Sequence, residues 1–268
     1  MTLKNQDPPT PAPETVDFGF RRVPAAEKTT LVDAVFARVA ERYDLMNDLM
    51  SGGVHRLWKR ALIDHLAPRP GMRLLDVAGG TGDIARRFLV SAEADRRDTG
   101  HVQAQTQAIV CDRNPAMLGV GRNRALDRGR LRGIAWVAGD AEKLPIASES
   151  VDAYVISFGL RNVTRIEAAL GEAARVLKPG GHFLCLEFSR VVLPGLAALY
   201  DAYSFRVIPL LGEIVAKDGE AYRYLVESIR RFPDQETLCE KIRAAGLGRV
   251  KVRNLSGGIA AIHSAWRV

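Results

Sequence analysis

Four polar clusters each close an apolar run, and their residue types suit one kind of ligand. Gly80-Thr81-Gly82 follow Leu74-Leu75-Asp76-Val77-Ala78 and lead into Ile84-Ala85-Arg86-Arg87-Phe88-Leu89. That reads as a buried strand, a tight turn and a helix. Glycine, lacking a Cβ, lets the backbone come close to a ligand, and the helix N-terminus beyond offers unpaired N–H groups and partial positive charge. Asp112 closes Ala108-Ile109-Val110-Cys111, and Asp140-Ala141 follow Ile134-Ala135-Trp136-Val137-Ala138. Ser157 ends Val151-Asp152-Ala153-Tyr154-Val155-Ile156. An acid at the second tip suits a ribose diol; an acid at the third suits an adenine amino group, with the Ala141 N–H for a ring nitrogen. Gly80-Thr81-Gly82-Asp83-Ile84-Ala85 also fits the loose dinucleotide pattern G-x-G-x-x-G/A. S-adenosylmethionine (SAM) and a nicotinamide or flavin are therefore both open at this turn. Asp112 follows Gly82 by 30 residues, against about 20 in a dinucleotide site. A nicotinamide enzyme has no comparable need for Asp140, and no Tyr-x-x-x-Lys pair or other obvious hydride-transfer acid is found.

Elements that could position these groups follow from periodicity. Strands are expected at 73–78, 108–112, 134–138, 151–157, 182–188, 249–255 and 259–267, the last two joined by Ser256-Gly257-Gly258. Alternating strands and helices over the first five predict a parallel, doubly wound α/β sheet, whose strand tips converge on one crevice. The closing hairpin predicts an antiparallel edge. Asn114 and Pro115 read as the cap and first turn of a helix. A second helix is expected at 164–177, stopped by Lys178-Pro179-Gly180-Gly181, and a third begins at Asp234-Gln235-Glu236-Thr237. Residues 91–107, polar and Gln-rich, read as a surface insertion.

The 268 residues suit one domain, expected at 18–268. Within it, 18–66 reads as a helical lid before the first strand and 191–231 as a helical insertion, whereas the Pro-rich 1–17 reads as a disordered tail. His55 and Trp58 lie on the lid; the alternative for them is a core aromatic beside a surface histidine. The chain is 47% hydrophobic, with a formal net charge of +7. That charge hints at an acidic partner, but no zinc-finger spacing, RNP-like motif or long basic block singles out nucleic acid. Three scattered cysteines show neither disulfide nor metal spacing. No apolar run approaches the roughly 18 residues of a membrane span, and the N-terminus lacks the order of a secretion signal. A cytoplasmic protein without a metal is expected.

More extended stretches carry a family likeness. Tyr43-Asp44-Leu45-Met46-Asn47-Asp48-Leu49-Met50-Ser51, His55-Arg56-Leu57-Trp58-Lys59-Arg60 and Leu75-Asp76-Val77-Ala78-Gly79-Gly80-Thr81-Gly82-Asp83 are followed by Ile156-Ser157-Phe158-Gly159-Leu160-Arg161-Asn162-Val163-Thr164 and Tyr200-Asp201-Ala202-Tyr203-Ser204. With these the chain resembles the ubiquinone/menaquinone biosynthesis C-methyltransferases, class I SAM-dependent enzymes with a Rossmann-like seven-stranded sheet. The glycine turn is common to many methyltransferases, whereas the Tyr43–Ser51, Ser157–Thr164 and Tyr200–Ser204 stretches are more specific. The chain departs from the family at Asp140, where asparagine is usual, and in the 91–107 segment.

The resemblance implies methyl transfer from SAM to a ring carbon of a polyprenylated quinol precursor. Its cofactor contacts map onto Gly80, Thr81, Gly82, Asp112, Asp140, Ala141 and Ser157. Such a reaction needs a positioned ring and a stabilised phenolate. Arg161 and Asn162, just past the fourth strand, are the candidates, with Arg161 alternatively a structural partner of a carboxylate. Arginine stays protonated, so water carries the proton, with His55 the fallback base. Val191–Leu199 and Val207–Leu211 are expected to groove the prenyl tail. Weak peripheral membrane contact follows, and a homodimer or a quinone-biosynthesis complex is a candidate assembly. An RNA methyltransferase, another small-molecule methyltransferase, a nicotinamide oxidoreductase and a non-catalytic scaffold are the competing readings.

Overall fold

The structure is a computed structural model that describes residues 14–39, 48, 51–99, 105–129, 132–196, 200, 202–204 and 219–268. A hairpin of β1 (Thr15–Phe18) and β2 (Arg21–Pro24) precedes α1 (Ala25–Val39) and α2 (His55–Leu66). Then come β3 (Arg73–Val77), α3 (Asp83–Thr99), β4 (Gln107–Asp112), α4 (Pro115–Asp127), β5 (Ile134–Ala138) and β6 (Val151–Ser157). A 3-10 turn at Leu160–Asn162 leads to α5 (Ile166–Val176) and β7 (Leu177–Phe188). The chain closes with α6 (Gly219–Arg231), α7 (Gln235–Ala244), β8 (Leu247–Leu255) and β9 (Ala260–Arg267).

Seven strands form one sheet in the order β5-β4-β3-β6-β7-β9-β8. The first five are parallel, and β9 pairs antiparallel with both β7 and β8. This is the expected doubly wound sheet with an antiparallel edge. Chain order reverses between β3 and β6, which is where such sheets open a crevice. Both faces are covered, so the strands are apolar on both sides. Leu74 packs with Trp58, Leu62 and Phe88 on one face, while Leu75 and Val77 pack with Leu170, Ala173 and Leu238 on the other. Asn114 caps α4 by accepting from Ala116 N and Met117 N, and Asp234 caps α7 by accepting from Thr237 N.

Several expectations are corrected. The strand Thr15–Phe18 begins inside the segment expected to be a tail, and it opens the lid with a hairpin rather than a helix. Residues 1–13 lie outside the described residues. Helix α3 runs on to Thr99, so the first part of the expected insertion is helical; residues 100–104 lie outside the described residues. Strand β7 starts at Leu177, and Lys178–Gly181 is an excursion between two ladder pairings, Val151 with Leu177 and Ala153 with His182. Of the expected lid and the 191–231 insertion, residues 40–47, 49–50, 197–199, 201 and 205–218 lie outside the described residues, including the 207–211 tail groove. Trp58 is a core aromatic, as one alternative held, and its indole N–H donates to Ser256 Oγ at 2.9 Å. His55 is buried rather than at the surface.

Candidate functional site

The turn after β3 is built for close approach. Gly80 and Gly82 have φ of +55° and +72°, a region that disfavours a side chain. A Cβ on Gly79 would lie 2.8 Å from the Asp76 carboxyl carbon and from Val110, and one on Gly82 would lie 2.7 Å from the Trp136 ring. The peptide N–H of Gly80 donates to Asp112 Oδ2 at 2.8 Å, and that of Asn114 donates to Asp112 Oδ1 at 2.8 Å. Burial pushes the Asp112 carboxyl up, and these two N–H groups pull it back. A carboxylate has about four acceptor positions, so each oxygen keeps one for a ligand.

Gly80, Asp112, Asp140, Ala141 and Asn162 line one cavity of about 110 Å³. Helix α1 covers it with Thr29, Val32 and Phe36. The helix is pinned by Lys28 Nζ, which donates to Val163 O at 3.1 Å, and by a Thr29–Thr164 hydroxyl contact at 3.3 Å. Arg113 ties the cover to the sheet: Nη1 reaches Asp140 Oδ2 at 2.7 Å and Nη2 reaches Asp33 Oδ2 at 3.1 Å. Asp140 Oδ1 accepts from Glu142 N at 2.9 Å.

Not every expected residue faces this cavity. Thr81 and Gly82 line a second cleft on the other side of the turn from Gly80. The Ser157 hydroxyl is buried without a partner, next to Phe158, which does line the cavity. Asn162 lines it and accepts from Tyr224 OH at 3.1 Å through Oδ1, which leaves its NH2 end to donate. His55 is not among the lining residues; its Nε2 meets Asp48 Oδ1 at 2.8 Å, and burial, the leading cause, lowers its pKa.

Arg161 is also held away from the cavity lining. Its Nη1 donates to Glu187 Oε1 at 2.9 Å and to Phe158 O, with both side chains only 1% exposed. The structural pairing with a carboxylate is thus present. Yet Arg161 Nε and Nη2 are buried and have no partner among the described residues, an expensive arrangement unless another acceptor completes it. Burial pushes the Glu187 carboxyl up, while Arg161 and the N–H groups of Phe188 and Arg161 pull against it.

Glu187, Arg113, Asp33 and Tyr224 were not singled out among the expected site residues. Glu187 left one signal, an acid inside the apolar run His182–Phe188. Arg113 left another, a cation directly after a strand-tip acid. Asp33 left none, since its partner is distant in sequence.

A family model described as the ubiE/COQ5 methyltransferase family matches residues 15–267. The chain is 57% identical over 254 residues to "Ubiquinone/menaquinone biosynthesis C-methyltransferase UbiE" of Cereibacter sphaeroides, covering 95% of this chain and 97% of the relative. It is 53% identical to "2-methoxy-6-polyprenyl-1,4-benzoquinol methylase, mitochondrial" of Danio rerio, covering 94% and 84%. Among solved structures, a possible histamine N-methyltransferase from Thermotoga maritima superposes with TM-score 0.58 at 21% identity, covering 88% of this chain and all of that one. A SAM-dependent methyltransferase from Aquifex aeolicus gives TM-score 0.56 at 15% identity, covering 78% and 89%. These structural likenesses concern the fold.

Proposed function

The chain belongs to the ubiE/COQ5 methyltransferase family, and from that premise we propose that it is a SAM-dependent C-methyltransferase acting on the ring of polyprenylated quinol precursors of ubiquinone, menaquinone or both. The observation that carries this is the convergence of Gly80, Asp112, Asp140, Ala141 and Asn162 on one cavity at the point where strand order reverses. The donor set fits the cofactor. Asp112 retains acceptor positions for two ribose hydroxyls, Asp140 accepts from an adenine amine, and the Ala141 N–H donates to a ring nitrogen. The glycine turn leaves room for close approach, and the orphaned Ser157 hydroxyl gains a partner at the strand tip. Bound SAM supplies a methyl group activated on a sulfonium.

The remaining work falls to residues of the substrate side. A quinol carbon becomes nucleophilic as its hydroxyl loses a proton, so the site must hold the ring and offset the growing negative charge. Arg161, kept protonated and braced by Glu187, has two donor nitrogens, Nε and Nη2, to offer a phenolate oxygen. Asn162, oriented by Tyr224, donates its amide to the same ring. Water takes the proton; His55, already bonded to Asp48, is left out of the step. Val192 and Leu193, more than half exposed, lie on the segment assigned to the prenyl tail. No helix of the described residues is long and apolar enough to cross a membrane, and peripheral contact gives access to a lipid-soluble substrate. The names of the relatives give no support to an RNA substrate.

Mass spectrometry with isotope-labelled SAM and a short-tailed desmethyl quinol tests the activity. Label should enter the ring, and cells lacking the protein should accumulate the desmethyl precursor. Arg161→Ala should cut turnover roughly 10²–10³-fold, the scale of a lost charge-stabilising donor, with SAM affinity by calorimetry unchanged. Turnover like that of the wild type would remove Arg161 from the mechanism.

A further inference from the structure

The cleft on the other side of the glycine turn has a composition that the methyl-transfer reading leaves unexplained. It opens between α3 and α4, holds about 520 Å³, and is lined by Arg56, Arg86, Arg87, Arg124 and Arg128. Among the described residues lining it Asp83 is the one acid, and Arg56 is paired with Asp48, which lies off the lining, at 2.7 Å. The Asp83 carboxylate is already shared among Lys59 at 3.2 Å, Arg86 at 3.1 Å and Arg87 at 3.1 Å. Burial works against its ionisation, but Lys59 and Arg87 overcome that and hold it well below the usual carboxylate range. Arg86 Nε is buried without a partner. Guanidinium groups crowded this way repel one another and together attract an anion. Their planar forks match phosphate oxygens two at a time.

The surroundings of the cleft decide which phosphate. Val90, 49% exposed, is on the lining itself. Leu57, 64% exposed, adjoins Arg56 in sequence, and Leu126, 49% exposed, adjoins Ala125 of the lining. Bare aliphatic side chains among arginines suit a surface that is anionic outside and hydrocarbon beneath. A nucleic acid would want an aromatic platform. The aromatic residue on the lining, Trp136, is packed so tightly against Gly82 and Gly121 that a Cβ on either would lie within 2.7 Å of its ring.

We propose that this arginine cleft and its aliphatic neighbours on α2, α3 and α4 are the face that docks on anionic phospholipid headgroups of a bilayer. The proposal deepens, and rests on, the peripheral contact inferred above. It also explains a placement: Gly80 lines the cofactor cavity while Thr81 and Gly82 line the cleft, so a docked bilayer lies one turn of chain from the site.

The test is flotation of the full-length protein with phosphatidylcholine vesicles, with and without phosphatidylserine. Arg124→Glu/Arg128→Glu is compared with a charge-matched control on strand β8, Lys251→Glu/Arg253→Glu. Arg128, Lys251 and Arg253 are exposed and Arg124 is half-buried, and neither pair belongs to the proposed methyl-transfer machinery. The wild type should float only with phosphatidylserine; the cleft variant should lose about tenfold or more in vesicle affinity, and the control much less. Leu126→Gln, which leaves charge untouched, should also weaken flotation. Thermal unfolding confirms folding of each variant, so the outcome does not depend on whether a quinol is methylated. Equal losses in the two charge variants, no loss in the cleft variant, or equal flotation on neutral vesicles would overturn the proposal. So would a cleft variant that loses binding to inorganic phosphate or an RNA oligonucleotide but still floats.

Discussion

Two arginines brace the chain beside the same cavity, and they do so in opposite surroundings. Arg161 ties the 3-10 turn to β7 through Glu187, with both side chains 1% exposed. Arg113 ties α1 to the loops after β4 and β5, with its own side chain 40% exposed and its two carboxylates 38%. A buried pair cannot lose one member without stranding the other's charge away from water. An exposed pair is worth about 0–1 kcal/mol and exchanges readily with solvent. The first is therefore a fixture and the second a catch. The cavity agrees: at about 110 Å³ it is smaller than the roughly 300–1,000 Å³ of ligand pockets. Lifting α1 would enlarge it, and the bond that yields first in such a movement is the exposed one.

The sharpest way to break this contrast is at Glu187. Glu187→Gln leaves the Arg161 guanidinium buried without a counter-charge and should lower the unfolding free energy by about 3–5 kcal/mol, read by chemical denaturation. Arg161→Met/Glu187→Leu removes both charges together and should recover much of that loss while methyl transfer stays abolished. If Glu187→Gln unfolds like the wild type, burial does not decide what the clamp is worth.

A buried charge with no counter-ion should behave differently from either clamp, and Asp76 provides one. It is 1% exposed; Oδ2 accepts from Ala85 N at 3.1 Å, and Oδ1 has no partner. Desolvation pushes its carboxyl up to about 7. The folded state then holds the proton more tightly than the unfolded chain, so this group's contribution is complete below about pH 4 and is lost as pH rises to about 7. Asp76→Asn has no such loss. The stability of the variant relative to the wild type should climb by up to about 4 kcal/mol across that window, at about 1.4 kcal/mol per unit. The difference between the two curves is the readout, because His55, His65, His182 and His263 have lowered pKa values and slope the other way in both proteins. A difference that stays flat from pH 4 to pH 7 would remove Asp76 as the titrating group.

The two clamps also mark how far the sequence could be read. Strands and caps were legible because their signals are local: continuous apolar runs, Asn114 before Pro115, Asp234 before Gln235. The convergence of Asp112 and Asp140 followed from topology once the runs were placed. A carboxylate partner for Arg161 was an open alternative, but which residues pair in the clamps was not legible, since Arg161 and Glu187 are 26 residues apart and Arg113 and Asp33 are 80 apart. Pairing over such distances depends on how helices settle on the sheet, which no local pattern records. The β1–β2 hairpin was hidden by a Pro- and Thr-rich composition that reads as tail. The extension of α3 was hidden by Asp95-Arg96-Arg97-Asp98, which suits an exposed helix as well as a loop. Thr81 looks equivalent to Gly80 in sequence, although the two line different sides of the turn.

The smallest expected change in stability, and the most telling for the catch, is at Arg113. Arg113→Ala should shift the unfolding free energy by less than about 1 kcal/mol. Its effect should appear in the kinetics of SAM binding: association and dissociation both quicken several-fold, while the ratio changes little. The reason is that the Asp33–Arg113–Asp140 bridge raises the barrier to lifting α1 more than it favours either end state. Salt separates this from a general loosening of the helix. Raising ionic strength screens an exposed ion pair, so it should speed SAM entry into the wild type and leave the variant unchanged. Stopped-flow traces in which both proteins respond alike to salt, or in which Arg113→Ala binds more slowly, would make the bridge an ordinary surface contact and leave Lys28 and Thr29 as what holds α1 down.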